Sequence, residues 1–168
     1  MSTQLTEVLQ KQKNQIHKSS HHDTDKSEDI MQLVGFMIGD EEYAVPILNI
    51  QEIIKPITYT RVPSTPEYVL GIFNLRGNVI PLIDLRRKFH IAAQNESAET
   101  RYIVIKAGDN VAGCVIDKLT EAIRLKSSQI DPAPETLKKE KGMIYGIGKR
   151  DHSILTILKV EELLKRDF

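Results

Sequence analysis

Gly71-Ile-Phe-Asn-Leu-Arg-Gly-Asn-Val-Ile-Pro-Leu-Ile-Asp-Leu85 decides how the rest of this chain is read. Two apolar runs of strand type, Ile72 to Leu75 and Val79 to Leu85, flank Arg76-Gly77-Asn78, and Gly77 supplies the positive φ of a tight hairpin turn. A β-hairpin follows. Arg76 falls at its tip, where its charge points outward because nothing in the flanking apolar runs can pair it. It reads either as a solvated turn residue or as a contact offered to another molecule.

Working outward, the same grammar recurs. Leu33 to Ile38 and Glu42 to Val45 are strands joined at Gly39-Asp40-Glu41, and Pro46 ends their pairing because it brings no donor. From Ile47 to Ile54 the apolar spacing suits a bulged strand or a helical turn, and strand is favoured for Ile50 to Ile54. Val62-Pro63-Ser64-Thr65-Pro66-Glu67 carries a helix-start signal, with Gly71 as the stop, so one short helix leads into the central hairpin. Downstream, Arg86-Arg87-Lys88-Phe89 is a basic cluster and residues 92–100 a polar loop. Further strands are expected at 102–106, 111–116, 122–125, 143–147 and 154–160. Residues 130–141 read as loop or short helix, and 161–165 as a terminal helical turn.

The two halves echo each other. Ile47, Ile50, Glu52 and Ile54 recur as Ile116, Leu119, Glu121 and Ile123, 69 residues on. Pro66-Glu67 recurs as Pro134-Glu135, Gly71 as Gly142, and the strand Val79–Leu85 as Ile154–Val160, about 75 residues on. An offset that grows slowly fits insertions in surface turns. The reading is a mainly β chain of two similar small barrels, each too small for an ample core alone, which must therefore share an interface. Residues 1–30 are rich in Gln, Lys, Ser and His with few apolar positions, and are expected to form a mobile tail ahead of a folded unit spanning 31–168. Leu5, Val8, Leu9 and Ile16 allow a transient helix there.

Composition narrows the function classes. The chain has 168 residues, 40% hydrophobic and 27% charged, with 23 basic and 23 acidic side chains. No net field draws it to nucleic acid or anionic lipid, and with no Trp it lacks an aromatic platform for single strands. No apolar run reaches the roughly 18 residues of a membrane span, nor is there a secretory leader, so a cytoplasmic location is expected. Cys114, alone in the apolar run Val111–Ile116, reads as a buried small hydrophobe rather than a reactive thiol.

Catalytic patterns are missing: no His-Glu-x-x-His, Cys-x-x-Cys, Gly-x-Ser-x-Gly, P-loop or Gly-x-Gly-x-x-Gly is present. His21-His22-Asp23 lies in the tail and reads as polar linker rather than metal site. Asp84 and Glu52 are single acids on strands, whereas paired-acid chemistry needs two. The expectation is a binding module without catalytic, cofactor or metal residues. In strand form Ile50 and Glu52 share a face, and with Arg76 nearby they make a small apolar contact rimmed by charge; the alternative is a core Ile50 and a strand-end Glu52.

Asn74-Leu75-Arg76-Gly77, Pro81 and Asp84-Leu85-Arg86, preceded by Gly39-Asp40-Glu41-Glu42-Tyr43 and Ile50-Gln51-Glu52-Ile53 and followed by Pro132-Ala133-Pro134-Glu135, resemble the CheW family of bacterial chemotaxis coupling proteins from about Leu33 to Leu164. The resemblance implies two SH3-like five-stranded β-barrels, intertwined and packed side by side with short helices. It implies a non-catalytic adaptor between the cytoplasmic tips of methyl-accepting chemoreceptors and the regulatory domain of the histidine kinase CheA, at membrane-bound arrays but without membrane insertion or nucleic acid. The positions matching the receptor-facing surface are Ile47, Ile50, Glu52, Arg76, Tyr102 and Leu119. One kinase or ring contact maps to Ile130, Pro132 and Leu137, where Asp131 and Thr136 replace basic and aromatic residues associated with that segment. Alternatives are an adaptor module of a CheV-type or pilus-linked chemosensory protein, for whose additional domains 168 residues leave no room, and an enzyme with an unrecognised site.

Overall fold

The computed structural model describes Leu9 and residues 29–92, 94–134 and 142–165. In chain order the first half carries β1 (Ile30–Ile38), β2 (Glu41–Pro46), a 3-10 turn (Ile47–Asn49), β3 (Ile50–Ile54), β4 (Val69–Leu75), β5 (Asn78–Asp84) and α1 (Leu85–Lys88). The second half carries β6 (Arg101–Ala107), β7 (Asn110–Ile116), β8 (Lys118–Lys126), a 3-10 turn (Ser127–Gln129), β9 (Ile130–Asp131), β10 (Ile144–Arg150), β11 (Ser153–Leu158) and α2 (Val160–Leu163).

The hairpin read from the central stretch is β4–β5, with Leu75 facing Asn78 across a two-residue turn. Arg76 (φ 51°) and Gly77 (φ 87°) both take positive φ, the requirement of a type I′ turn, whose twist matches that of the strands. Asn74 Oδ1 accepts from the Gly77 N–H at 3.0 Å and pins the tip.

Strand order reveals how the repeat is used. One sheet runs β8-β1-β2-β11-β10-β9 and the other β3-β6-β7-β5-β4. Each half therefore gives its first two strands to one sheet and its later strands to the other, so the two barrels are interlaced. The parallel contacts are equivalent: Tyr43 faces Thr156 in the first sheet, and Leu82 faces Gly113 in the second. So are the turns after the last strands, where the Asp84 N–H donates to Tyr68 O and the Lys159 N–H to Met143 O, both at 2.8 Å.

Both sheets close on themselves. Beyond β3 the chain returns to β4, and Thr60 and Ile72 exchange two N–H···O bonds of 2.8 Å. Beyond β8 the chain returns as β9, which pairs Ile130 with Gly148 and Asp131 with Ile147 of β10. Closure removes the exposed edges that would otherwise invite pairing with other chains.

Burial falls into three cores. Leu33, Ala44, Ile123, Leu125, Leu155 and Ile157 fill the first barrel, and Phe73, Ile80, Leu82, Tyr102 and Val104 the second. The largest core lies between the barrels and draws Phe36, Tyr43, Ile47, Ile50, Ile103 and Leu163, among others, from both sheets. This shared core is the physical answer to halves too small to stand alone.

One expectation is corrected here. Residues 62–67 form turns, not a helix: Ser64 has φ 64°, and the Thr65 hydroxyl donates to Val62 O at 3.1 Å instead of capping a helix. The expected tail over 1–30 lies largely outside the described residues, but Leu9 is helical and 4% exposed within the central core, and Ile30 already belongs to β1.

Candidate protein-docking surfaces

Arg76 does have a partner. From the hairpin tip its Nε donates to Glu52 Oε2 at 3.0 Å and its Nη2 lies 3.5 Å from Oε1, so the guanidinium fork clasps a carboxylate on β3. The pair spans the seam where the end strands of the second barrel meet. Arg76 keeps 77% of its side chain exposed while Glu52 keeps 18%, leaving a positioned cation facing outward. Hydrogen bonding to Glu52, then its charge, pushes the guanidinium pKa up, so the positive charge is held. Val79, on the same hairpin, is 62% exposed.

Three of the six residues matched to a receptor-facing surface are core. Ile47 (0% exposed) and Ile50 (2%) sit between the barrels, and Tyr102 (1%) fills the second barrel. The shared face expected for Ile50 and Glu52 fails because β3 is bulged there: Ile50 faces Ile105, yet Glu52 faces Val104, so Gln51 is an extra residue and the alternation breaks. Leu119 is half-buried against the central core. A matching irregularity occurs in β8, where Val34 faces Ala122 and Phe36 faces Leu119. Arg76, Glu52 and Leu119 are thus the members of the set that reach the surface.

The first barrel carries its own clasp, which the sequence reading missed. Arg150, at the β10–β11 tip, donates to Glu42 and, through Nη1, to Glu121 Oε1 at 2.6 Å; the Thr120 hydroxyl donates to Glu42 Oε2 at 2.5 Å. Glu121 is the repeat equivalent of Glu52, and that was the signal available. The basic cluster 86–88 is likewise internally engaged, Arg86 with Asp117, Arg87 with Asp84, and Lys88 over the Tyr68 ring.

Ile130 lines a second type of surface. Ile30, Met31, Pro46, Leu48, Ile130 and Tyr145 wall a cleft of about 480 Å³. Three of them are apolar and well exposed, Leu48 at 60%, Tyr145 at 49% and Ile30 at 48%. Exposed apolar residues gathered in one cleft, not scattered singly, mark a docking surface. Pro132 is exposed just beyond β9, and Leu137 and Thr136 lie outside the described residues. Lys149 pairs with Asp131, so this acid is engaged by the neighbouring strand.

Elsewhere, burial pushes the Cys114 thiol up to about 12, which keeps it protonated and inert. Among the described residues no group of three or more His, Cys, Asp or Glu could hold a metal ion, and no helix is long and apolar enough to cross a membrane.

A double barrel that sets an oriented charge clasp on one barrel and an apolar cleft on the other belongs to the class of protein-docking scaffolds. Known proteins give the particular member. The model of the CheW-like domain matches residues 32–168, and this chain belongs to that family. It is 55% identical over 168 residues to the chemotaxis protein CheW of Helicobacter pylori, covering all of both chains, and 37% identical over 135 residues to that of Klebsiella aerogenes, covering 79% of this chain and 80% of that one. The crystal structure of the scaffolding protein TtCheW from Thermoanaerobacter tengcongensis superposes with a TM-score of 0.77 at 31% identity, covering 83% of this chain and 95% of that one. The expected fold, two SH3-like five-stranded barrels side by side, is the one observed, with β9 as a two-residue addition to the first sheet. The chain is a non-catalytic chemotaxis adaptor.

Proposed function

We propose that this chain couples the cytoplasmic tips of methyl-accepting chemoreceptors to the regulatory domain of the histidine kinase CheA, acting in the cytoplasm at membrane-bound receptor arrays. The observation that carries the reading is the Arg76–Glu52 clasp, a fixed and outward-facing guanidinium on a closed barrel. Arg76 and Glu52 orient the receptor tip by charge, and Leu119 adds apolar contact. Ile47, Ile50 and Tyr102 act from beneath, holding β3 and β6 in place. The kinase domain occupies the cleft walled by Ile30, Leu48, Ile130 and Tyr145, with Pro132 beyond the end of β9 and Leu137, which the sequence resemblance adds, as further contacts.

An adaptor changes kinase output only through differential affinity for receptor or kinase states. Contacts of moderate strength on two surfaces suit that task. The test is a titration of the labelled full-length chain against a receptor signalling-tip fragment and, separately, against the kinase regulatory domain. Saturable binding to both is expected, with Arg76→Glu weakening the first by at least about tenfold and Tyr145→Asp the second. Binding to neither, or equal receptor affinity for folded Arg76→Glu, overturns the assignment.

A further inference from the structure

The two barrels are joined by two chain crossings, and the second is tied by an ion pair. At the second crossing, between β7 of one barrel and β8 of the other, Asp117 donates its N–H to Met37 O at 3.0 Å. Its carboxylate accepts from the Gly39 N–H at 2.8 Å, in the β1–β2 turn of the first barrel. The same carboxylate accepts from Arg86 of α1, which extends the second barrel, through Nε at 3.0 Å and Nη2 at 2.5 Å. Arg86 is spent on this joint: its Nη1 also donates to Ala92 O at 2.7 Å and its Nη2 to Gln94 Oε1 at 2.5 Å, and 12% of its side chain is exposed.

Directly below, Phe89 stacks on Tyr43 at 5.3 Å and Tyr43 on Phe36 at 6.3 Å, so an aromatic ladder carries the end of α1 onto the first barrel. At the first crossing the repeat places Leu48, 60% exposed, where the second has Asp117, and α2 has Glu161 where α1 has Arg86. There Asn49 Nδ2 donates to Lys106 O at 3.1 Å, a neutral bond. The pseudo-symmetry of the fold is broken at this joint.

We propose that Arg86 and Asp117 are positioning residues that hold the barrels at one mutual angle and thereby couple the two docking surfaces, one on each barrel; this rests on the adaptor reading above. A planar fork bound at two points to one carboxylate resists rotation, whereas an ammonium gives a point contact. With the fork replaced, the aromatic ladder and shared core still hold the barrels together, but the angle between them is free to vary. Occupancy of one surface then no longer biases the other, since a displacement at one barrel reaches the other only while the joint between them is rigid.

The experiment uses the full-length chain with Arg86→Lys, with Asp117→Asn, and with the exchange Arg86→Asp plus Asp117→Arg. Affinity for the kinase regulatory domain is measured with and without a saturating receptor-tip fragment. The parent is expected to show a ratio of about fivefold or more, and Arg86→Lys a ratio below about twofold while each separate affinity stays within about twofold. Spin labels at Asp109→Cys and His152→Cys, one exposed turn on each barrel, provide a readout without partners; Cys114 is buried and is not labelled. The distance distribution is expected to broaden in Arg86→Lys and Asp117→Asn, and to narrow again in the exchange variant. Folded single variants with an unchanged ratio, or with an unchanged distribution, overturn the proposal. A parent that binds neither partner overturns the adaptor reading instead, and the distance measurement still decides the joint.

Discussion

Replacing Ile50 by alanine separates a core residue from a contact residue. Ile50 is 2% exposed and sits between the barrels with Ile47, Ile53 and Ile105. The change removes three of its four side-chain carbons from a site walled by both sheets, which limits collapse around the void, and truncations of this kind cost about 2 to 5 kcal/mol. For a domain of typical stability, about 5 to 15 kcal/mol, that is a large share, and each kcal/mol lowers Tm by roughly 2 to 4 °C at this chain length. Urea unfolding followed by far-UV circular dichroism is the assay, with receptor-fragment binding measured at a temperature where the variant is folded. We expect a midpoint lowered at unchanged slope, with binding within about twofold of the parent. A variant as stable as the parent that has lost receptor binding would refute the placement of Ile50 in the core and restore it to the contact surface.

Three further outcomes follow from single features. A Cβ on Gly113 would lie 2.8 Å from the Phe73 ring inside the second barrel, so Gly113→Ala should destabilise by about 1 to 3 kcal/mol and Phe73→Leu in the same chain should recover part of it, read by the same urea transitions. Burial raises the Cys114 thiol from 9.0 to about 12 and the Tyr102 hydroxyl from 10.0 to about 12. Their neutral forms are favoured by folding, so this contribution is whole below about pH 9 and is lost as pH rises toward 12; the urea midpoint should fall across that window, and less steeply in Cys114→Ala. Arg150→Ala leaves Glu42, 15% exposed, with the Thr120 hydroxyl but without its cation, and should cost about 1 to 3 kcal/mol, an effect that Glu42→Gln in the same chain should reduce when thermal unfolding is compared.

The stretch 71–85 displayed its hairpin openly because turn chemistry and strand alternation are local. Arg76 and Gly77 needed positive φ, and so short a turn leaves the flanking apolar runs side by side. The repeat was legible for the same reason, and the offset of 75 holds for the bonds from Asp84 to Tyr68 and from Lys159 to Met143. Interlacing came with the family resemblance and not from the strands themselves, since whether β2 adds to β11 or to a strand of its own half depends on pairings more than 100 residues apart, and nothing in either strand alone states the choice. The site was half legible. Glu52 and Arg76 were singled out, but their pairing across 24 residues was not, because barrel closure brings them together. Ile50 was left open between contact and core, because the bulge at Gln51 breaks the two-residue period on which face assignment rests. At 62–67, hydroxyl, proline and acid spelled a helix start, yet no apolar helical face follows them to be buried, and the segment turns instead.

The central claim is that this double barrel links two proteins without altering either. The direct measurement is reconstitution: receptor signalling fragments on vesicles, the histidine kinase, and increasing amounts of this chain, with kinase autophosphorylation followed with and without receptor ligand. Ligand control of phosphorylation that appears only when the chain is added, and disappears with Arg76→Glu, is the predicted result. Ligand control of equal size in its absence would contradict the account.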